Sequence, residues 1–60
     1  MRLIKLHFAS SGDEVFVNPD HIQWLLQTES GTNMRLEDSK ELYLIAETPE
    51  QINKIISYGL

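Results

Sequence analysis

Apolar and polar residues alternate along most of the chain ahead of Thr48, which is the pattern of half-buried β-strands. Short clusters of Ser, Gly, Asn, Asp and Pro interrupt this alternation and mark turns, and residues 30–33 are expected to form a hairpin turn. A single helical or 3₁₀ turn is expected over Pro19 to His21, because Pro19 fixes its backbone and the Asn18 side chain can hydrogen-bond the backbone just ahead of it. The pattern predicts about five short strands. They cover residues 2–8, 14–17, 22–28, 34–37 and 41–46.

Beyond these strands the apolar spacing becomes helical. Thr48 suits the N-cap position, Pro49 suits the first helical position, and Gln51 completes a capping box with Thr48. Gly59 is typical of a residue that ends a helix. Three isoleucines form an apolar stripe: Ile52, Ile55 and Ile56. The sequence therefore predicts an α+β fold, a small antiparallel β-meander of about five strands with one C-terminal α-helix.

Length and composition narrow the class of protein. Sixty residues allow one domain, 1–60, with a small core and marginal stability. The absence of cysteine excludes disulfides and thiolate metal sites. The formal net charge of −4 disfavours phosphate backbones and anionic lipid as partners. No run approaches the ~18 apolar residues of a membrane span, and we expect a cytoplasmic protein.

Residues able to perform chemistry are present but do not form a recognised motif. His7 and His21 are the only histidines, and neither belongs to a set of ligands with the spacing of a zinc site. Most carboxylates flank predicted turns, where they are solvated or cap backbone groups. These are Asp13, Glu14, Asp20, Glu37, Asp38 and Glu47. No serine lies in G-x-S-x-G. We therefore expect no catalytic, metal or cofactor site and a protein that is not an enzyme.

Nucleic-acid binding is the alternative function. Lys5 and Arg35 could share one sheet face, with Trp24 or Tyr43 as a stacking surface. Nine acidic residues against five basic ones, and the lack of a basic run, argue against it. The alternation of the third strand also places Trp24 beside Ile22, which predicts a core position for the indole.

The third and fifth predicted strands carry large apolar residues on both faces. One short helix covers only one face of a small sheet, and a solvated second face should be polar. The second face is therefore expected to meet another apolar surface, most simply a second copy of the chain. We expect a homo-oligomer that also binds a larger protein partner. The predicted interface residues are Phe16, Leu25, Tyr43 and Ile45.

Several segments follow one another in a characteristic order. They are Ile4-Lys5-Leu6, then Val15-Phe16-Val17-Asn18-Pro19-Asp20-His21-Ile22, then Lys40-Glu41-Leu42, and finally Glu47-Thr48-Pro49-Glu50-Gln51-Ile52. In this order, across nearly the full chain, the sequence resembles the FlbD/SwrD family of small flagellum-associated bacterial proteins. The closest stretch is 18–22, Asn-Pro-Asp-x-Ile. The resemblance implies a role in flagellar assembly or motor power, without an established enzymatic activity.

A weaker resemblance is to the C-terminal half of LytTR-type DNA-binding domains. Those domains also end in a strand followed by a short helix rich in Ile or Leu, as this chain does around Ile52 and Ile55. This resemblance implies the alternative function, a small nucleic-acid-binding regulatory module. The leading hypothesis from the sequence is a non-enzymatic protein-interaction module, associated with the flagellum and self-associating through an apolar sheet face.

Overall fold

The computed structural model describes residues 2–58, which form antiparallel β-strands followed by one α-helix. The elements are β1 (Ile4–His7), β2 (Glu14–Val17), β3 (Ile22–Thr28), β4 (Gly31–Leu36), β5 (Leu42–Ile45) and α1 (Pro49–Tyr58). A single turn of 3₁₀ helix, Pro19–His21, joins β2 to β3. The predicted α+β fold is confirmed. Gly59, predicted to end the helix, lies outside the described residues.

The strands divide into two sheets, which the sequence did not predict. β1 pairs with β2, and β3, β4 and β5 form a three-stranded sheet in that order. The sheets meet where Phe8 lies opposite Ile45 in an isolated antiparallel bridge. Two backbone hydrogen bonds flank this bridge, from Ala9 N–H to the Leu44 carbonyl (3.0 Å) and from Ala46 N–H to the His7 carbonyl (2.8 Å). The end of β1 is therefore bonded to the end of β5.

One hydrophobic core is shared by both sheets and the helix. Six apolar side chains are buried in it: Ile4, Leu6, Val17, Met34, Ile45 and Ile52. The alternation predicted for the first strand is confirmed, because Ile4 and Leu6 are buried while Lys5 between them is exposed. Each fully buried side chain of this size contributes about 1.5–3 kcal/mol. Five of the six elements supply this core, so none of them is an independent unit.

Two local predictions are confirmed by hydrogen bonds. The Asn18 side-chain oxygen accepts from Asp20 N–H at 3.0 Å and caps the 3₁₀ turn, with Pro19 at its first position. Thr48 and Gln51 form the reciprocal capping box of α1. Thr48 N–H donates to Gln51 Oε1 at 2.9 Å, and Gln51 N–H donates to Thr48 Oγ1 at 3.1 Å. Both elements therefore start where short-range chemistry places them.

The hairpin before β4 differs from its prediction. Residues 30–33 were expected to form the turn, but β4 already begins at Gly31 and the turn contains only Glu29 and Ser30. Thr32 is completely buried, and its hydroxyl donates to the Glu47 carbonyl at 2.7 Å. A buried polar side chain whose hydrogen bond is made inside the core reads as a surface residue in a pattern of apolar and polar positions, so the sequence did not predict it.

The orientation of β3 also differs from its prediction, because a β-bulge at Gln23 interrupts the alternation. Ile22 lies opposite Leu36 while Trp24 lies opposite Arg35, so the pairing passes over one residue. An extra residue reverses the faces of everything that follows it in the strand. Ile22 packs against the core, and Trp24 is 40% exposed on the other face. The predicted core position of Trp24 is therefore wrong.

We predict that Gly31→Ala is much more destabilising than Gly12→Ala. Both glycines have a positive φ, +147° for Gly31 and +76° for Gly12, so a side chain strains the backbone at either position, by about 1–3 kcal/mol. A Cβ on Gly31 would lie 2.5 Å from the Ile45 carbonyl oxygen, whereas one on Gly12 would have no neighbour within 4 Å. The total loss for Gly31→Ala is therefore expected to be about 2–4 kcal/mol.

Urea unfolding of the two variants beside the parent chain measures this difference. Gly12→Ala is the matched control, because it also adds a Cβ at a residue with a positive φ but brings that Cβ close to no other atom. Equal losses for the two variants would show that the close approach of β4 to β5 at Gly31 does not limit stability.

Candidate interaction surface

The three-stranded sheet has an exposed apolar face on the side away from the core. Register aligns Trp24, Arg35 and Leu42 in one row across β3, β4 and β5. The neighbouring row contains Leu26, Asn33 and Leu44. Four apolar side chains of the two outer strands make up what we term the outer patch: Trp24, Leu26, Leu42 and Leu44.

Three of the four side chains in the outer patch are highly exposed, and Leu44 is half-buried. Trp24 is 40% exposed, Leu26 57% and Leu42 50%. The patch consists of two apolar pairs, Trp24 with Leu26 on β3 and Leu42 with Leu44 on β5, and the β4 residues of the two rows lie between them. Several exposed apolar side chains on one sheet face mark an interaction site, whereas single exposed leucines carry no such meaning. Arg35 is the only charged residue in the two rows.

The interface residues predicted from the sequence do not lie in the outer patch. Ile45 is completely buried in the core. Leu25 and Tyr43 are half-buried and pack against the same core. Phe16 is 60% exposed, as expected for an interface residue, but it belongs to β2 in the other sheet. The predicted set of four therefore does not form one exposed face.

The direction in which the side chains of β3 and β5 point explains why the predicted interface residues are wrong and why the outer patch is exposed instead. Leu25 and Tyr43 both lie opposite Met34, which is buried, so they face inward. The bulge at Gln23 sets this orientation for β3. The third and fifth strands do carry apolar residues on both faces, as predicted. Periodicity alone does not show which of the two faces the helix covers.

Phe16 belongs instead to a shallow groove between the two sheets. The groove has a volume of about 240 Å³. It is lined by Phe8, Val15, Phe16, Val17, Asn18, His21, Met34, Leu36 and Tyr43. The Phe8 and Tyr43 rings both line it, and their centroids lie 6.5 Å apart. Small-molecule sites usually occupy about 300–1,000 Å³, so this groove is too small to define one.

His7 and Glu47 form a polar contact that connects β1 to the segment before α1. Glu47 Oε1 accepts from His7 N–H at 2.9 Å, and Glu47 Oε2 lies 2.7 Å from His7 Nδ1. Burial raises the pKa of the Glu47 carboxyl, but the hydrogen bonds from the His7 ring and backbone together lower it below its ordinary value of 4.5. Sequence reasoning missed this pair because only the contact between β1 and β5 brings the two residues together.

The residues considered for other chemistry are separated in space. Lys5 lies in β1 and pairs with Glu14 at 3.2 Å, while Arg35 lies in β4 of the other sheet. The two cations therefore do not form the shared basic face that nucleic-acid binding would use. Within residues 2–58, no three His, Asp or Glu side chains are grouped so that they could hold a metal ion. No helix in that part of the chain is long and apolar enough to cross a membrane.

Comparison of the chain with known protein families, with characterised proteins and with solved structures finds no match. The segment that carries the resemblance to the FlbD/SwrD family has local structural tasks here. Asn18 caps the 3₁₀ turn, Pro19 begins it, and Ile22 packs against the core. The fold and the surface together describe a small α+β protein in which apolar side chains are exposed on one sheet face.

We predict that Glu47→Gln destabilises the fold in a pH-dependent way. At neutral pH the loss is expected to be about 1–2 kcal/mol, because the variant lacks the charged acceptor for His7. Since the pKa of Glu47 is lower in the folded state, the unfolded chain binds more protons as the solution becomes acidic. The stabilisation is complete above pH 4.5 and is lost as the pH falls through the folded-state pKa.

Urea midpoints measured from neutral pH down through the carboxyl range test this prediction. The difference between wild type and Glu47→Gln should shrink on acidification, because protonated Glu47 resembles glutamine. Glu41→Gln is the control for removing one negative charge, since Glu41 is exposed in the turn before β5. A difference that stays constant with pH would contradict an ionised Glu47 in the folded protein.

Proposed function

We propose that this protein is a non-enzymatic protein-interaction module that self-associates through its exposed apolar sheet surface. The observation that supports the proposal is the outer patch. The core side of the three-stranded sheet is covered by the β1–β2 hairpin and α1, whereas Trp24, Leu26 and Leu42 face outward with 40–57% of their surface exposed. Removing such side chains from water is the main favourable term in association.

A second copy of the chain is the partner that the physical properties favour. Domains of this size bury only about 60% of their unfolded surface and gain stability when they associate. A net charge of −4 makes two copies repel, so the contact must avoid acidic residues. The outer patch meets this condition, because Arg35 is the only charge in its two rows and none of their residues is acidic.

The biological setting is proposed from the resemblance to the FlbD/SwrD family. On that basis the self-associated protein would act in the bacterial cytoplasm and present its surface to a larger protein of the flagellar assembly or motor. Deletion of the gene in the native host should then impair swimming. Complementation with the wild-type chain should restore motility, and complementation with a chain that cannot self-associate should not.

We predict that Leu26→Asp abolishes self-association and Leu3→Asp does not. Leu26 is 57% exposed and Leu3 50%, but Leu26 lies in the outer patch and Leu3 precedes β1. An aspartate at position 26 would place a charge in the contact, where desolvation disfavours it. Leu3→Asp adds the same charge outside the contact and is therefore a matched control.

Sedimentation velocity over a series of micromolar to millimolar concentrations measures the outcome. Wild type and Leu3→Asp should shift to a larger species as concentration rises, and Leu26→Asp should remain monomeric with unchanged far-UV circular dichroism. A wild-type chain that stays monomeric throughout would overturn the proposal. DNA binding with a steep salt dependence would instead favour the alternative, a nucleic-acid-binding module.

A further inference from the structure

β3 is an edge strand whose own sequence lacks the charges and prolines that usually protect an edge against pairing with another chain. It lies at one end of the three-stranded sheet, in the order β3-β4-β5. Its seven residues, Ile22–Thr28, include no charged residue and no proline. Natural edge strands are usually blunted by charges, prolines or bulges. The bulge at Gln23 disrupts only the start of β3. The regular part, 24–28, therefore remains available for pairing, and Leu26 is its midpoint.

The hydrogen bonds between the sheets identify which backbone groups of β3 face outward. Leu44 and Ala46 bond toward β1, so Ile45 between them bonds toward β4, where it lies opposite Thr32. The neighbours of Thr32, Gly31 and Asn33, consequently bond toward β3. Their partners there are Thr28 and Leu26.

Because backbone groups alternate in direction along a strand, the N–H and C=O groups of Leu25 and Gln27 point away from β4. Within residues 2–58, no hydrogen bond from outside the β3–β4 ladder reaches the backbone groups of these two residues. Leu25 is half-buried and Gln27 is exposed. The free edge of β3 therefore presents two pairs of donors and acceptors, placed symmetrically on either side of Leu26.

We propose that two copies of the chain join edge to edge through β3, antiparallel and about a two-fold axis at Leu26. This inference deepens the proposed self-association and rests on it. Leu25 of each copy then lies opposite Gln27 of the other, and all the outward groups form four hydrogen bonds. Leu26 lies opposite its own copy in a non-hydrogen-bonded pair, with both side chains on the outer face. The result is a six-stranded sheet with one continuous outer patch.

Electrostatics favours this arrangement over stacking the two outer patches face to face. In the edge-to-edge dimer the two Glu29 residues lie roughly 20 Å apart, since each is three residues from the axis. The two Arg35 residues are separated by at least about 14 Å, because β3 lies between each β4 and the axis. Both separations exceed the Debye length of about 8 Å. Direct stacking of Arg35 on its copy would bring like charges together.

A pairing of this size is small for a protein interface. Five residues of each strand take part, against about 20–30 residues per side in a standard interface. The dimer is therefore expected to be weak and dependent on concentration, in the manner of transient contacts.

Cysteine cross-linking tests the position of the axis, and the chain offers a clean background because it has no cysteine. We predict that Leu26→Cys forms a disulfide-linked dimer under mild oxidation, since opposed Cβ atoms at the axis lie about 4.5–5.5 Å apart, close to disulfide geometry. Leu44→Cys is the control. It lies in the same outer patch but on β5, roughly 24 Å from its copy in the edge-to-edge dimer.

A second variant tests the hydrogen bonds without removing the outer patch. Gln27→Pro deletes an N–H that points away from β4, so the β3–β4 pairing keeps its bonds. We predict that it raises the dimer dissociation constant by at least about tenfold. Gln27→Ala retains the N–H and should leave the dissociation constant within about twofold of wild type. Circular dichroism checks that both variants keep the fold.

The results separate this inference from the broader proposal. Cross-linking at Leu26 but not at Leu44, together with loss of the dimer in Gln27→Pro, supports the edge-to-edge dimer. A Leu44→Cys chain that cross-links, or a Gln27→Pro chain that still dimerises as the wild type does, overturns pairing at β3 and leaves self-association standing. A wild-type chain that is monomeric at all concentrations overturns both.

Discussion

The hydrogen bonds around Glu47 connect parts of the chain that short-range structure cannot hold together. Its carboxylate accepts from the backbone and ring of His7 in β1, and its carbonyl accepts from the hydroxyl of buried Thr32 in β4. The next residue, Thr48, begins the capping box of α1. Two strands and the helix are thus fixed by two consecutive residues. In a domain with six buried apolar side chains, such a junction sets the relative position of the two sheets.

The same small core explains why the outer patch exists. One helix and one hairpin cover a single face of the three-stranded sheet, and residues 2–58 contain no further element that covers the other. Outward apolar residues on β3 and β5 are therefore left exposed within one copy. A free edge on β3 lies next to them, so the apolar surface and the unpaired backbone groups occur on the same strand. Association through that strand would use both features at once.

The sequence predicted well those features that depend on neighbours along the chain. The Asn18 cap, the Thr48–Gln51 capping box and the alternation around Leu6 all follow from local chemistry. It predicted poorly the features that depend on contacts distant in sequence. The division into two sheets and the His7–Glu47 pair require β1 to meet β5. The face of Trp24 depended on a bulge, which has no signature in a pattern of alternating residues.

The bulge at Gln23 has a consequence for how the surface of this protein can change during evolution. Which side chains of β3 are displayed is determined by the number of residues ahead of Trp24, rather than by their chemical nature. Loss of one residue there would exchange the two sides of the strand, bringing Leu25 to the surface and the indole inside. A single-codon deletion would thus replace the displayed surface while leaving the amino-acid composition of the strand almost intact. In this chain, the spacing of residues ahead of Trp24 determines which face of β3 is exposed.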